Sequence, residues 1–189
     1  MLTIVRLTFP LLVFACVVGC SSVSVTDYRN AKPTLDLETF FRGNLTAHGV
    51  VKDRSGRVIR TFNATIDASR ENGEGVLDEH FEFNDGELDQ RKWILTPAGD
   101  NRYTGTAGDV VGAGVLEVAG NSVFLDYTLR IPLDDDSIDV QVDDRMYLVA
   151  PGVLLNESEM RKFGVRVGSI LLVILKPDAQ PPNVGAAPS

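Results

Sequence analysis

From residue 41 to residue 176, apolar and polar side chains alternate with a period of two, and turn residues break the alternation at short intervals. That is the pattern of antiparallel strands with one covered face. The clearest run sets Val123, Leu125, Tyr127, Leu129 and Ile131 against Phe124, Asp126, Thr128 and Arg130. Pro132 and Asp134-Asp135-Asp136-Ser137 make a turn, after which Ile138, Val140 and Val142 alternate with Asp139, Gln141 and Asp143, so the two runs predict a hairpin. Residues 41–51 and 57–67 flank Asp53-Arg54-Ser55-Gly56, and 76–83 and 88–95 flank Asn84-Asp85-Gly86. Each linker carries glycine where a tight turn needs positive φ. Further strands are predicted near 102–107, 113–119, 144–149, 153–156 and 163–176. Residues 170–175 are continuously apolar, as in a strand covered on both faces or a short buried helix. Helical spacing is confined to one turn at 35–41, where Leu37, Phe40 and Phe41 share a face. Eight to ten antiparallel strands with short connections predict an all-β up-and-down meander closed into a barrel, since closure removes exposed edges. A β-sandwich is the alternative.

Upstream of this pattern, residues 7–18 are apolar apart from Thr8 and follow the basic Arg6. The run is short for ~30 Å of hydrocarbon but suits the core of a secretion signal. It ends in Val17-Val18-Gly19-Cys20, where small and aliphatic residues precede a cysteine, the arrangement read in bacterial lipoprotein processing. Cys16 is a poorer candidate because the bulky Phe14 precedes it by two. The expected organisation is a signal peptide at 1–19, a lipidated tether at 20–32 beginning with Cys20, the β domain at 33–176, and a disordered proline-rich tail at 177–189. By resemblance to bacterial sorting rules, Ser21 after the cysteine favours the outer membrane, with the domain facing the periplasm. Several acyl chains at ~0.8 kcal/mol per buried methylene make such an anchor effectively permanent.

Charge and cysteine content narrow the options. The chain carries 18 basic and 26 acidic residues, a net charge of −8 at pH 7, which disfavours nucleic acid and an electrostatic grip on anionic headgroups. With Cys20 acylated and Cys16 removed, no thiol is left for a disulfide or a zinc cluster, and no cofactor is expected.

Some charged residues fall on the apolar parity. Glu79 is in phase with Leu77, Phe81 and Phe83; Asp144 with Val140, Val142, Met146 and Leu148; Arg60 with Val58, Phe62 and Ile66; Arg91 with Trp93 and Leu95. Asp109 follows Tyr103, Gly105 and Ala107 in the same way. An unpaired buried charge costs several kcal/mol, so these groups must pair with one another or meet water or a polar ligand. Two readings stay open: an internal salt-bridge cluster that fixes register, or a cavity whose apolar walls hold a tail while Arg60, Glu79, Arg91, Trp93, Asp109 and Asp144 surround a polar head. Gly43, Ala47 and Gly49 share a face and fit sharp barrel curvature better than ligand room. The glycines between 105 and 114 lack phosphate-loop spacing and are expected to form a flexible turn. The acids from Asp134 to Asp144 lack calcium-loop spacing, and His48 and His80 lie on the polar parity. No nucleophile elbow or metal-binding histidine pair is present, so no enzyme is expected; Glu79 with Asp144 is the one pair that could act as acid and base.

The same residues resemble a family, the bacterial lipoproteins of domain of unknown function 3833. The resemblance runs from about Pro33 to Leu175. It rests on Leu35-Asp36-Leu37 with Phe40-Phe41-Arg42-Gly43, Gly49 with Asp53-Arg54-Ser55-Gly56, Glu79-His80-Phe81, Asp85-Gly86-Glu87 and Arg91-Lys92-Trp93. It continues through the segment 105–112, Asp143-Asp144-Arg145-Met146-Tyr147, Asn156 and Met160-Arg161-Lys162-Phe163-Gly164. Arg145 departs from it, standing where relatives are expected to have tryptophan. The resemblance implies a lipid-anchored envelope protein and carries no catalytic residues. Phe41-x-Gly43 also looks like the opening of a lipocalin-type barrel. The expected function is binding or carriage of a lipid-like or amphipathic small molecule; the alternative is a structural or assembly role in the envelope without a ligand.

Overall fold

A computed structural model describes residues 22–133 and 136–177. Ten strands follow one another: β1 (Gly43–Asp53), β2 (Val58–Glu71), β3 (Glu74–Phe83), β4 (Leu88–Pro97), β5 (Arg102–Thr106), β6 (Gly114–Ala119), β7 (Ser122–Pro132), β8 (Ser137–Ala150), β9 (Val153–Lys162) and β10 (Val165–Leu175). Each pairs antiparallel with its successor, and β1 also pairs with β10 from Thr46↔Leu175 to Asp53↔Gly168. The result is a closed, lipocalin-like up-and-down barrel, and the sandwich alternative falls.

Strict alternation decides which side chains fill the interior. On β2, Phe62, Ala64, Ile66 and Ala68 are buried while the residues between them are exposed. Leu45, Val123 and Leu154 are fully enclosed, each contributing roughly 1.5–3 kcal/mol of burial. The two runs expected at 138–142 and 144–149 are one continuous strand, β8, because Asp143 simply takes an outward place. β9 reaches Lys162, beyond the expected 156. The apolar run 170–175 is not covered on both faces: Ile174 is buried and Ile170 and Leu172 line the interior, whereas Leu171 is 44% exposed on the outer wall.

One end of the barrel is closed by the N-terminal segment. Helix α1 (Leu37–Phe40) starts at Asp36, whose carboxylate accepts from the Thr39 N–H at 2.8 Å, and it buries Leu37 and Phe40. Lys176 donates to the Thr39 carbonyl at 2.8 Å and so ties the end of the last strand to this plug.

The segment before α1 corrects the expected tether at 20–32. Ser24 and Asp27 cap a 3-10 turn (Val25–Tyr28), Val25 is 3% exposed, and the Tyr28 ring packs edge-on to Phe124 and against Tyr147 on the outer wall. Gly120 takes φ +58°, and a Cβ there would sit 1.7 Å from the Tyr28 carbonyl oxygen. The polar composition of this stretch conceals one apolar and one aromatic anchor, so from Ser24 onward the chain lies on the barrel.

The opposite end has no helix across it among the described residues, and its five connections share a chemistry. Val58 and Ile59, Leu88, Val111, Leu133, and Phe163 with Val165 are all exposed there, Leu88 at 74% and Phe163 at 91%. Phe163 also holds φ +51°, an uncommon conformation for a bulky residue. Beside the connections of the plugged end, the large apolar side chains so exposed among the described residues are Val149 and Leu155, on either side of the β8–β9 connection.

Candidate functional site

Between the plug and the open rim the barrel encloses a cavity of about 170 Å³. Leu37 and Phe41 of the plug form its floor; Ala64, Ile66, Trp93, Leu125 and Ile174 belong to its walls; Val51, Phe83 and Asp89 border it toward the rim. This is below the ~300 Å³ at which pockets begin to hold whole drug-sized molecules. It is close to the ~150 Å³ of a cavity that stays dry and takes a benzene ring. Gly49 contributes packing rather than ligand room: the Phe62 ring and Leu172 occupy the space its Cβ would need, with Phe62 Cζ only 2.4 Å from that position.

A polar cluster interrupts the apolar wall. Glu79 and Arg91 are direct cross-strand partners on β3 and β4. Arg91 donates from Nε at 2.9 Å and from Nη2 at 2.5 Å to one oxygen of Asp109. Asp109 comes from the β5–β6 connection, which corrects the expected flexible turn. The connection is pinned to β7, since Arg130 N donates to the Asp109 carbonyl at 2.8 Å and Val111 N to the Thr128 carbonyl at 2.9 Å. The other carboxylate oxygen of Asp109 is buried without a hydrogen-bond partner. Across the barrel, Asp144 of β8 is 8% exposed; one of its oxygens accepts from Ser158 at 2.9 Å and from the Asn156 amide. Tyr127 of β7 sets its ring perpendicular to Trp93 at 5.3 Å.

Burial dominates the electrostatics here. It pushes the Glu79 carboxyl up to about 7; Arg91 opposes this, while Asp144 and Asp109 add like charge. Burial likewise raises Asp144 to about 6 against hydrogen bonds from Asn156 and Ser158 and the charge of Arg91. The Tyr127 phenol is raised by burial and by Asp144. No hydrogen bond reaches the Glu79 carboxyl or the Tyr127 hydroxyl among the described residues.

Of the residues selected by parity, Glu79, Arg91, Trp93 and Asp144 line one cavity, and Asp109 joins them through Arg91. Arg60 does not, which corrects its place in the expected cluster. Arg60 is the third residue of β2, paired with Val51 just inside a register shift, and so lies at the rim. There it clamps Asp85 at 2.7 and 2.8 Å, meets Glu87 at 2.7 Å, and stacks 3.7 Å above the Phe83 ring. Cys20 lies outside the described residues. Sequence reasoning missed Tyr127, Asn156 and Ser158 as polar members of the site. Asn156 and Ser158 share the parity of Leu154, a signal available once β9 is extended past 156. His48 and His80 are exposed, as their parity indicates. Arg145 sits on the outer wall, 4.2 Å over the Phe124 ring, and donates to the Val23 carbonyl at 3.4 Å.

The model of the family described as protein of unknown function (DUF3833) matches residues 14–176. The chain belongs to this family. No curated protein sequence matches this DUF3833 chain. Among solved structures it is similar to the S-type phycobiliprotein lyase CPES from Guillardia theta, with a TM-score of 0.56 and 9% identity over 77% of this chain and 95% of that one. It is also similar to a protein of unknown function of the DUF3598 family from Nostoc punctiforme, with a TM-score of 0.55 and 13% identity over 77% of this chain and half of that one. At such identities the likeness concerns the fold of the DUF3833 barrel alone.

Proposed function

We propose that this DUF3833 protein is a lipid-anchored protein of the cell envelope, held at the outer membrane through Cys20, that binds a lipid-like or amphipathic small molecule in its barrel. The observation that carries the reading is an apolar cavity of about 170 Å³ with a partly unpaired polar cluster in its wall. Such a site suits one tail or ring with a polar end, and it serves binding rather than catalysis. The apolar rim supports the reading, since a molecule leaving a lipid phase would meet Leu88, Phe163 and their neighbours before the cavity.

Native mass spectrometry of the full-length protein extracted from membranes tests it. The expected result is a co-purified small molecule whose adduct disappears in Ala64→Leu, which fills the cavity. A homogeneous unliganded mass in every preparation overturns it. A structural role without ligand is favoured by one observation: Arg60 and Arg91 both already have carboxylate partners. For the anchor, Cys20→Ala is expected to abolish the acyl mass increment and release the protein from the membrane fraction.

A further inference from the structure

The polar end of the cavity is unbalanced. Three carboxyl groups, Glu79, Asp109 and Asp144, surround one guanidinium, and that guanidinium is engaged by Asp109. Glu79 and Asp144 thus face the cavity with no cation of their own. Hydrogen-bonding capacity leans the same way. The Glu79 carboxyl and one oxygen of Asp109 lack donors, and the two donors on Asp144 share a single oxygen. Among the described residues, two uncharged donors of this wall have no hydrogen bond, the Tyr127 hydroxyl and the Trp93 indole N–H. The Trp93 and Tyr127 rings themselves present faces that attract positive charge.

We propose that the molecule held in this barrel carries a protonated amine on an apolar body, the amine donating to Glu79 and Asp144 while the body lies against Ala64, Ile66 and Ile174. The proposal rests on the reading of the cavity as a ligand site. A carboxylate head, the obvious alternative for a lipid carrier, would meet two carboxyl groups in a water-poor interior and would have to share Arg91 with Asp109. An ammonium head supplies up to three donors to the Glu79 carboxyl and to the Asp144 oxygen that Asn156 and Ser158 leave free, and charge-assisted hydrogen bonds of this kind are the stronger ones.

The test compares octylamine, octanol and octanoate, which share a tail and differ in head, each kept below its micellar concentration at pH 7.5. Trp93 is the only tryptophan of the chain and lines the cavity, so its fluorescence reports binding directly. Octylamine is expected to bind about tenfold or more tighter than octanoate, with octanol between them. Glu79→Gln and Asp144→Asn are each expected to weaken octylamine about tenfold while changing octanol less than twofold; circular dichroism confirms that each variant is folded. Ala64→Leu should remove the binding of all three. Octanoate binding as well as octylamine, or an unchanged octylamine affinity in both carboxyl variants, overturns the amine head and leaves the cavity reading standing. Octylamine binding that survives Ala64→Leu assigns the effect to the acidic surface and also overturns the proposal. If none of the three probes binds and the native protein is unliganded, the cavity reading itself falls.

Discussion

Replacing Glu79 by glutamine should turn a protein that weakens with rising pH into one that barely does. In the folded chain Glu79 keeps its proton up to about pH 7, whereas unfolded it releases it near the ordinary value of 4.5. Between those values the folded state holds the extra proton, so stability is fully present below pH 4.5 and falls as pH climbs through 7. Two and a half pH units at 1.36 kcal/mol each set a ceiling on the order of 3 kcal/mol, of which about 2–3 kcal/mol is lost between pH 5 and 8. Asp144, raised from 3.8 to about 6, has the same sign and adds about 1 kcal/mol over that interval. Exposed carboxylates whose values are lowered, Asp53, Asp85 and Asp139, act in the opposite direction below about pH 4, outside the window. The assay is urea unfolding followed by Trp93 fluorescence at pH 5 and pH 8 and constant ionic strength, with linear extrapolation. Wild type should lose roughly 3–4 kcal/mol across the interval and Glu79→Gln only about 1 kcal/mol. Taking the difference between two pH values within each protein cancels the cost of the buried amide. Equal losses in the two proteins would refute the argument that burial of this carboxyl governs the pH response.

Other substitutions probe separate parts of the molecule. Asp109→Ala leaves the Arg91 guanidinium half-buried without its partner and should cost about 2 kcal/mol in urea unfolding. Gly49→Val places a branched side chain into space held by Phe62 and Leu172, with an expected loss of about 1–3 kcal/mol and a shift of Trp93 emission as the wall repacks. Leu154→Ala, at a fully enclosed position, should cost about 2–5 kcal/mol by thermal or urea unfolding. Gly120→Ala drives a Cβ into the Tyr28 carbonyl, so residues 24–31 should detach; limited proteolysis should then cut between Tyr28 and Lys32 while the barrel stays intact.

The barrel was legible because the alternation of residue types in sequences such as that of β7 is nearly unbroken and because Gly56 and Gly86 mark turns that only positive φ permits. Glu79, Arg91 and Asp144 were legible for the same reason, as charges on the wrong parity of long strands. Parity failed where a strand ends. Arg60 keeps its phase with Phe62, yet its place at the open end of β2 and the carboxylates of the next turn hold it at the rim. Tyr127 was read as an apolar wall residue because its ring serves that purpose while its hydroxyl serves another. The β5–β6 connection looked flexible because glycine count says nothing of the backbone hydrogen bonds that fasten Asp109 to β7. The segment before α1 was hidden by its composition, since two well-placed residues, Val25 and Tyr28, hold a stretch that is otherwise mostly polar.

The pairing of β1 with β10 bears on how the chain reaches this state. Every other strand meets its neighbour across a short connection, but the first strand finds its second partner only in the last one. Loop closure over nearly the whole domain must precede those final bonds, which places the barrel among slow, high-contact-order folders. Until β10 arrives, the outer edge of β1 is a bare template for a neighbouring chain. Losing β10 by truncation should therefore turn a self-closed ring of strands into an aggregating sheet rather than a smaller barrel.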